Sequence, residues 1–128
     1  MKKIIVLFSV LLTNSILFAQ NKPVNEDFSL FLKKFTTDKN FHLSRINFPL
    51  TVKMNNDDFE LVDYIIAKGD YKMIQLNDKG SQYQQKSIPK NSTIIIKQKG
   101  NDNGIFIEYV FEQKKGLWYL KTWIDAST

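Results

Sequence analysis

In the N-terminal third, apolar residues fall at Phe28, Phe31, Leu32 and Phe35, the i, i+3, i+4, i+7 spacing of a single helix face. Asn25 is a good N-cap ahead of them. Glu26 and Asp27 put negative charge in the first turn, and Lys33 and Lys34 put positive charge near the end, both in the sense the helix dipole favours. The pattern predicts a helix over Glu26–Thr36. A shorter helix is predicted over Asp38–Ser44, capped by Thr37 or Asp38 and anchored by Phe41. Pro49 pushes Phe48 toward extended geometry, so the chain leaves helical structure there, and Thr51–Met54 reads as a first strand with Pro49 at its entry.

Beyond this point the period shortens toward two. Phe59, Val62 and Ile66 also fit a helix, but the run of Val, Tyr and Ile in Leu61–Ala67 favours a strand. Lys68-Gly69-Asp70 is then a turn, and Tyr71–Leu76 a short extended or helical piece. Asn77–Asn91 is polar, carries Gly80 and Pro89, and reads as a loop, the segment expected to be most mobile. Ser92–Lys99 is a strand built on Thr93, Ile94, Ile95 and Ile96, and Asn103-Gly104 marks the turn that follows it. Ile105–Gln113 and Leu117–Asp125 close the chain as a long hairpin around Lys114-Lys115-Gly116, with Gly116 supplying the positive φ of a three-residue loop. Alternation puts Ile105, Ile107, Tyr109 and Phe111 on one face, with Glu108 and Glu112 on the other. In the last strand it sets Trp118, Leu120, Thr122 and Ile124 against Leu117, Tyr119, Lys121 and Trp123. Two helices followed by a three-stranded meander predict an α+β domain, with N-terminal helices laid on a curved antiparallel sheet.

Composition places this domain. Met1-Lys2-Lys3, the apolar run Ile4–Leu12, a polar interruption and Ile16–Ala19 have the build of a secretory signal peptide cut after Ala19. The run is shorter than the roughly 20 apolar residues a spanning helix needs, so no stable membrane anchor is expected after cleavage. Residues 20–128 then form one domain. The chain has no cysteine, which removes disulfides, thiol chemistry and lipid attachment at a new N-terminal cysteine; such a domain relies on its core. The net charge of +5 includes Lys2 and Lys3 and falls to +3 without them. The remaining lysines are scattered, which suits a solvated surface better than a nucleic-acid stripe.

Phe28–Phe35, Asp38, Phe41-His42-Leu43-Ser44-Arg45-Ile46, Phe48-Pro49-Leu50, and the closing Trp118-Tyr119-Leu120 with Ile124 resemble a secreted Bacteroidetes family of unknown function, assigned to the nuclear transport factor 2-like (cystatin-like, snoaL-like) fold. The resemblance spans most of residues 20–128, and Asp38–Leu50 is its specific part. It implies a sheet wrapped around an N-terminal helix as a cone with a pocket at the wide end. It also implies a periplasmic or secreted protein of a Gram-negative bacterium. The fold hosts isomerases, dehydratases, binding modules and dimerisation domains, so it carries no activity by itself.

The site candidates follow from these readings. Asp38, His42 and Arg45 share a helical stripe at i, i+4 and i+7, where an acid beside a histidine could move a proton and Arg45 could hold an anion. The simpler reading makes Asp38 a cap, His42 a surface residue, and Arg45 a favourable charge at the helix end, free to pair with Asp125 or Asp63. Tyr109 and Trp118 are candidates to line a pocket with His42 and Arg45. Tyr119 and Trp123, expected on the opposite face, are candidates for a contact patch. One histidine and no cysteine leave no metal site, and Asn101-Asp102-Asn103-Gly104 lacks the spacing of a calcium loop. No catalytic residue and no cofactor are assigned. The function expected is a non-catalytic domain binding a small apolar or amphipathic ligand or a protein partner, with a homodimer through the sheet plausible by analogy. The alternative is an isomerase- or dehydratase-type enzyme using a pocket histidine or acid.

Overall fold

The computed structural model describes residues 25–77, 80 and 82–128; the leader read over residues 1–19 lies outside them. Helix α1 spans Phe28–Thr37 and α2 spans Lys39–Ser44. Asp27, not Asn25, caps α1, its carboxylate accepting from the Leu30 N–H at 3.0 Å. Glu26 therefore precedes the helix and is free for another role. Asp38 caps α2 by accepting from the Phe41 N–H at 3.1 Å, so the two helices are separated by a single capping residue.

The strands are β1 (Leu50–Asn55), β2 (Leu61–Ile66), β3 (Tyr83–Lys90), β4 (Thr93–Gly100), β5 (Phe106–Lys114) and β6 (Leu117–Asp125), with a short 3₁₀ turn at Lys68–Asp70. They form one sheet in the order β2-β1-β6-β5-β4-β3. Every junction is antiparallel except β1 with β6, which run parallel where Lys53 and Met54 meet Ile124 and Asp125. The sheet is thus mixed rather than purely antiparallel, because the chain crosses from β2 at one edge to β3 at the other before the meander runs back to β6 beside β1.

Three expectations from the sequence are corrected. The segment read as a loop over Asn77–Asn91 contains β3, so the C-terminal meander has four strands. Its residues, Tyr83 to Lys90, are polar because β3 is a sheet edge; pairing with β4 holds it extended, and Pro89 is tolerated there. The last hairpin turns through two residues, Lys115 (φ 48°) and Gly116 (φ 80°), both left-handed as a tight primed turn requires. Finally, Val110 faces Thr122 but Phe111 faces Leu120, which leaves Lys121 as an extra residue in β6. This bulge reverses the alternation. Trp118 and Leu120 point inward as expected, but beyond the bulge it is Trp123, not Thr122, that enters the core, and Trp123 is only 8 % exposed.

The space between helices and sheet is occupied by aromatic rings. Phe31, Phe35 and Phe111 are fully buried and meet at centroid separations of 5.2 to 5.8 Å, edge-to-face where the helix meets the strand. Phe28 reaches both Phe111 and Trp118. Leu50, Val52, Ile96 and Leu120 complete the floor. The cone expected from the sequence is therefore packed with side chains around α1. Phe35→Ala should lose roughly 3–5 kcal/mol of stability, whereas Leu30→Ala, on the exposed face of the same helix, should change it by less than about 0.5 kcal/mol. Urea unfolding of the two variants checks this, and equal losses would contradict the packing direction of α1.

Candidate functional site

The residues nominated from the sequence do not converge. Arg45 forms the C-cap of α2 and turns toward the start of β6. There its guanidinium meets Glu26, and neither Asp125 nor Asp63 is its partner. Nη1 donates to Glu26 Oε1 at 2.6 Å and Nη2 to Oε2 at 2.9 Å, a two-pronged contact. Nη1 also donates to the Trp118 carbonyl at 3.1 Å. Trp118 returns two bonds to Glu26, its backbone N–H to Oε1 at 3.0 Å and its indole Nε1 to the Glu26 carbonyl at 2.8 Å. Phe41 lies 4.5 Å from the guanidinium carbon, with Phe31 and Tyr119 further out. Burial works to raise the Glu26 pKa, but the hydrogen bonds from Arg45 and Trp118 and the fields of Arg45 and Lys34 outweigh it and hold the carboxyl below its ordinary value. Arg45, Trp118 and Tyr119 therefore build a structural clasp.

His42, expected at the surface, is 1 % exposed. Its ring stacks on Phe35 at 3.8 Å. Nδ1 lies 2.8 Å from the Phe35 carbonyl, so it carries the proton and donates; Nε2 then accepts from the Tyr71 hydroxyl at 2.5 Å. Desolvation lowers the His42 pKa, partly offset by the Phe35 carbonyl. Burial likewise pushes the Tyr71 phenol up to about 12, offset in part by the Ile74 backbone. Tyr71 packs edge-on to Phe48 at 5.2 Å and stands 6.4 Å from Trp123, which in turn is 6.1 Å from Tyr109. Tyr109 is buried, and desolvation together with Asp125, Tyr83 and Tyr71 raises its phenol to about 12. Trp123 is thus sandwiched in the interior, and the contact patch expected for it does not exist.

None of the six nominated residues lines the surface cavities. A groove of about 540 Å³ beside α2 is lined by Lys39, Leu43, Lys68, Gly69, Tyr71, Lys72 and Met73. A neighbouring one of about 550 Å³ runs from Thr36 and Thr37 along Met73–Asn77. A third, of about 320 Å³, lies on the outer sheet face among Gln84, Lys86, Ile88, Lys97 and Lys99. The first is continuous with the nominated chemistry, because its wall, Tyr71, is the partner of His42. The sequence reading missed it because Tyr71 stood in a stretch of undecided structure and its lysines are far apart in the chain. Among the described residues, no group of three or more His, Asp or Glu residues is placed to hold a metal ion, and no helix is long and apolar enough to cross a membrane.

Two measurements follow from this geometry. Arg45 and Glu26 side chains are 13 % and 20 % exposed, against 51 % and 60 % for the Lys53–Asp63 pair. Arg45→Ala should therefore cost roughly 3–5 kcal/mol, since it strands a half-buried carboxylate, and Lys53→Ala less than about 1 kcal/mol; comparable losses in denaturant titrations would deny the clasp its role. A lowered His42 pKa means that the unfolded chain binds a proton the folded chain refuses. The neutral-His contribution is complete above the unfolded value of 6.5 and is lost as pH falls below it. The melting temperature should drop on acidification from pH 7 to pH 5. His42→Gln should flatten that slope, and an unchanged slope would mean that His42 is not the titrating group.

The comparisons with known proteins agree with the fold and are silent on chemistry. No functionally curated protein is significantly similar to the chain. The crystal structure of an NTF2-like protein from Bacteroides fragilis superposes with a TM-score of 0.63 at 27 % identity, covering 81 % of this chain and 48 % of that one, so the chain spans about half the length of that relative. The NMR structure of a protein from Bacteroides uniformis superposes with a TM-score of 0.56 at 21 % identity, covering 78 % of this chain and 76 % of that one. Residues 8–125 match the model of the family described as Domain of unknown function (DUF4348), and the chain belongs to that family, on an NTF2-like α+β fold.

Proposed function

We propose that the protein is a non-catalytic binding domain, exported to the periplasm or beyond, whose ligand is a small amphipathic anion held in the groove beside α2. The observation that carries this reading is the composition of that groove. Its apolar lining is Leu43, Tyr71 and Met73, and its charged lining is Lys39, Lys68 and Lys72, with no acid among the lining residues. Among the described ion pairs none involves these three lysines. About 540 Å³ is within the range of small-molecule sites, which combine apolar walls with a few polar groups that fix orientation. Three unpaired cations around an apolar wall favour a ligand with a short hydrocarbon part and a carboxylate, sulfate or phosphate head.

The enzyme reading would need His42 or an acid exposed to a substrate. What supports binding instead is that both His42 nitrogens are already engaged, by Phe35 and Tyr71, beneath the groove wall.

Trp123 stands 6.4 Å from Tyr71, so tryptophan fluorescence reports on the groove. Titration with decanoate below its micelle concentration should give a saturable one-site change, and a decyl alcohol or decyl trimethylammonium probe should give a much weaker one. Lys68→Glu with Lys72→Glu should weaken decanoate binding at least about tenfold, the equivalent of 1.4 kcal/mol. Equal binding of the three probes, or no effect of the double change, would refute the assignment.

A further inference from the structure

The two ends of the sheet are built differently. At one end β3 carries Lys86, Pro89 and Lys90, residues that discourage pairing with another strand. At the other end β2 reads Leu-Val-Asp-Tyr-Ile-Ile and contains no lysine, arginine or proline. Its one charge, Asp63, is taken by Lys53 of β1 at 2.7 Å. Leu61, Tyr64 and Ile65 are exposed, Ile65 at 74 %. Phe59, just ahead of the strand, is 68 % exposed and sits at φ 59°, a left-handed conformation that is costly for an aromatic residue. Asn56 holds it there: its side-chain oxygen accepts from the N–H groups of Asp58 and Glu60 at 2.9 and 3.0 Å, and its carbonyl accepts from Phe59 at 3.0 Å. Among the described residues, half of the exposed large apolar side chains thus fall between residues 59 and 65. They lie along a strand edge that pairs with no other described strand on its outer side.

We infer that β2 pairs with β2 of a second copy of this chain, antiparallel about Tyr64, to join two sheets edge to edge. The occupant is argued from charge and symmetry. Within β2, Asp63 is the one charge and is paired by Lys53 of its own sheet, so an identical strand brings an equally apolar row to the contact. Antiparallel pairing of a strand with itself is two-fold, so the same patch serves both partners. With Tyr64 on the axis, Val62 faces Ile66 of the partner subunit, and Asp63 faces Ile65 of the partner subunit rather than the partner's Asp63, which avoids like charges directly opposite. Pairing also closes. The joined sheet ends in β3 on both sides, and β3 carries the residues that stop further growth.

Sedimentation equilibrium of the full chain should show a reversible dimer. Ile65→Glu sets a carboxylate opposite the partner's Asp63 and should weaken the dimer at least about tenfold, while leaving the thermal melt of the dilute monomer unchanged, since the side chain lies in solvent there. Because the chain has no cysteine, single-cysteine variants locate the contact without interference. Tyr64→Cys should be captured as a covalent dimer by a short bis-maleimide, and Ile88→Cys, on the opposite edge, should not. A chain that stays monomeric, leaving the edge to a strand of some other protein, would overturn the inference. So would association untouched by Ile65→Glu, which would place it on the leader or another face, and so would equal capture at the two edges.

Discussion

The rest of the structure depends on a half-buried carboxylate. Glu26 lies in the short stretch before α1, Arg45 caps the end of α2, and Trp118 stands near the start of β6, so one ion pair with its two tryptophan bonds joins three separate parts of the chain. In a domain without disulfides, nothing covalent sets the angle at which α1 crosses the strands. The clasp sets it, and that angle decides whether Phe28, Phe31 and Phe35 meet Phe111 or solvent. A buried ion pair is often no better than packed hydrocarbon in free energy. Here its geometric specificity matters as much as its strength: a planar guanidinium that must satisfy a carboxylate and a carbonyl together accepts few helix orientations.

Beneath Tyr71 the same problem is solved with neutral groups. The crossing from β2 to β3 has no ladder of its own. It is held by Tyr71 on His42, by Gln98 Nε2 donating to the Gln75 carbonyl at 3.0 Å, by Tyr83 donating to the Asn77 carbonyl at 2.6 Å, and by burial of Leu76. Among the described residues this crossing is thus fastened largely by individual side-chain contacts rather than by a strand ladder. Burying a histidine beneath it is tolerable only in the neutral form, with both ring nitrogens partnered. Stability here is therefore tied to pH, and the groove that borders Tyr71 inherits that dependence.

What was legible in the sequence is what local periodicity encodes. The phenylalanine stripe of α1, the cap at Asp38, the strands around Ile95, Tyr109 and Trp118, and the family likeness carried by Asp38–Leu50 all have local signatures, and each has its counterpart in the structure. What was not legible depends on pairing across the chain. β3 is polar and becomes a strand only because β4 lies beside it. Glu26 looked like a dipole charge because its partner is 19 residues away. His42 looked exposed because a lone polar residue on a short helix gives no sign of the tyrosine, 29 residues on, that covers it. Trp123 was assigned to the wrong face because one unpaired lysine shifts the phase of β6, and strict alternation contains no signal for an insertion of one.

These failures share a direction that bears on function. The side chains with familiar chemistry, His42, Arg45 and the inward tyrosine and tryptophans, were each drawn into holding the fold, and the interior they might have lined is full of phenyl rings. What remains unspent lies at the periphery: lysines that form no ion pair and an apolar strand edge with no neighbouring strand, among the described residues. In the isolated monomer both are satisfied by water, so neither has a structural partner to give up. A contact that replaces this water gains modestly per bond and needs no remodelling of the core. In a domain whose centre is closed by packing, binding is therefore expected where a segment is held by few contacts or where the sheet stops, and the groove beside α2 and the edge of β2 are those two places.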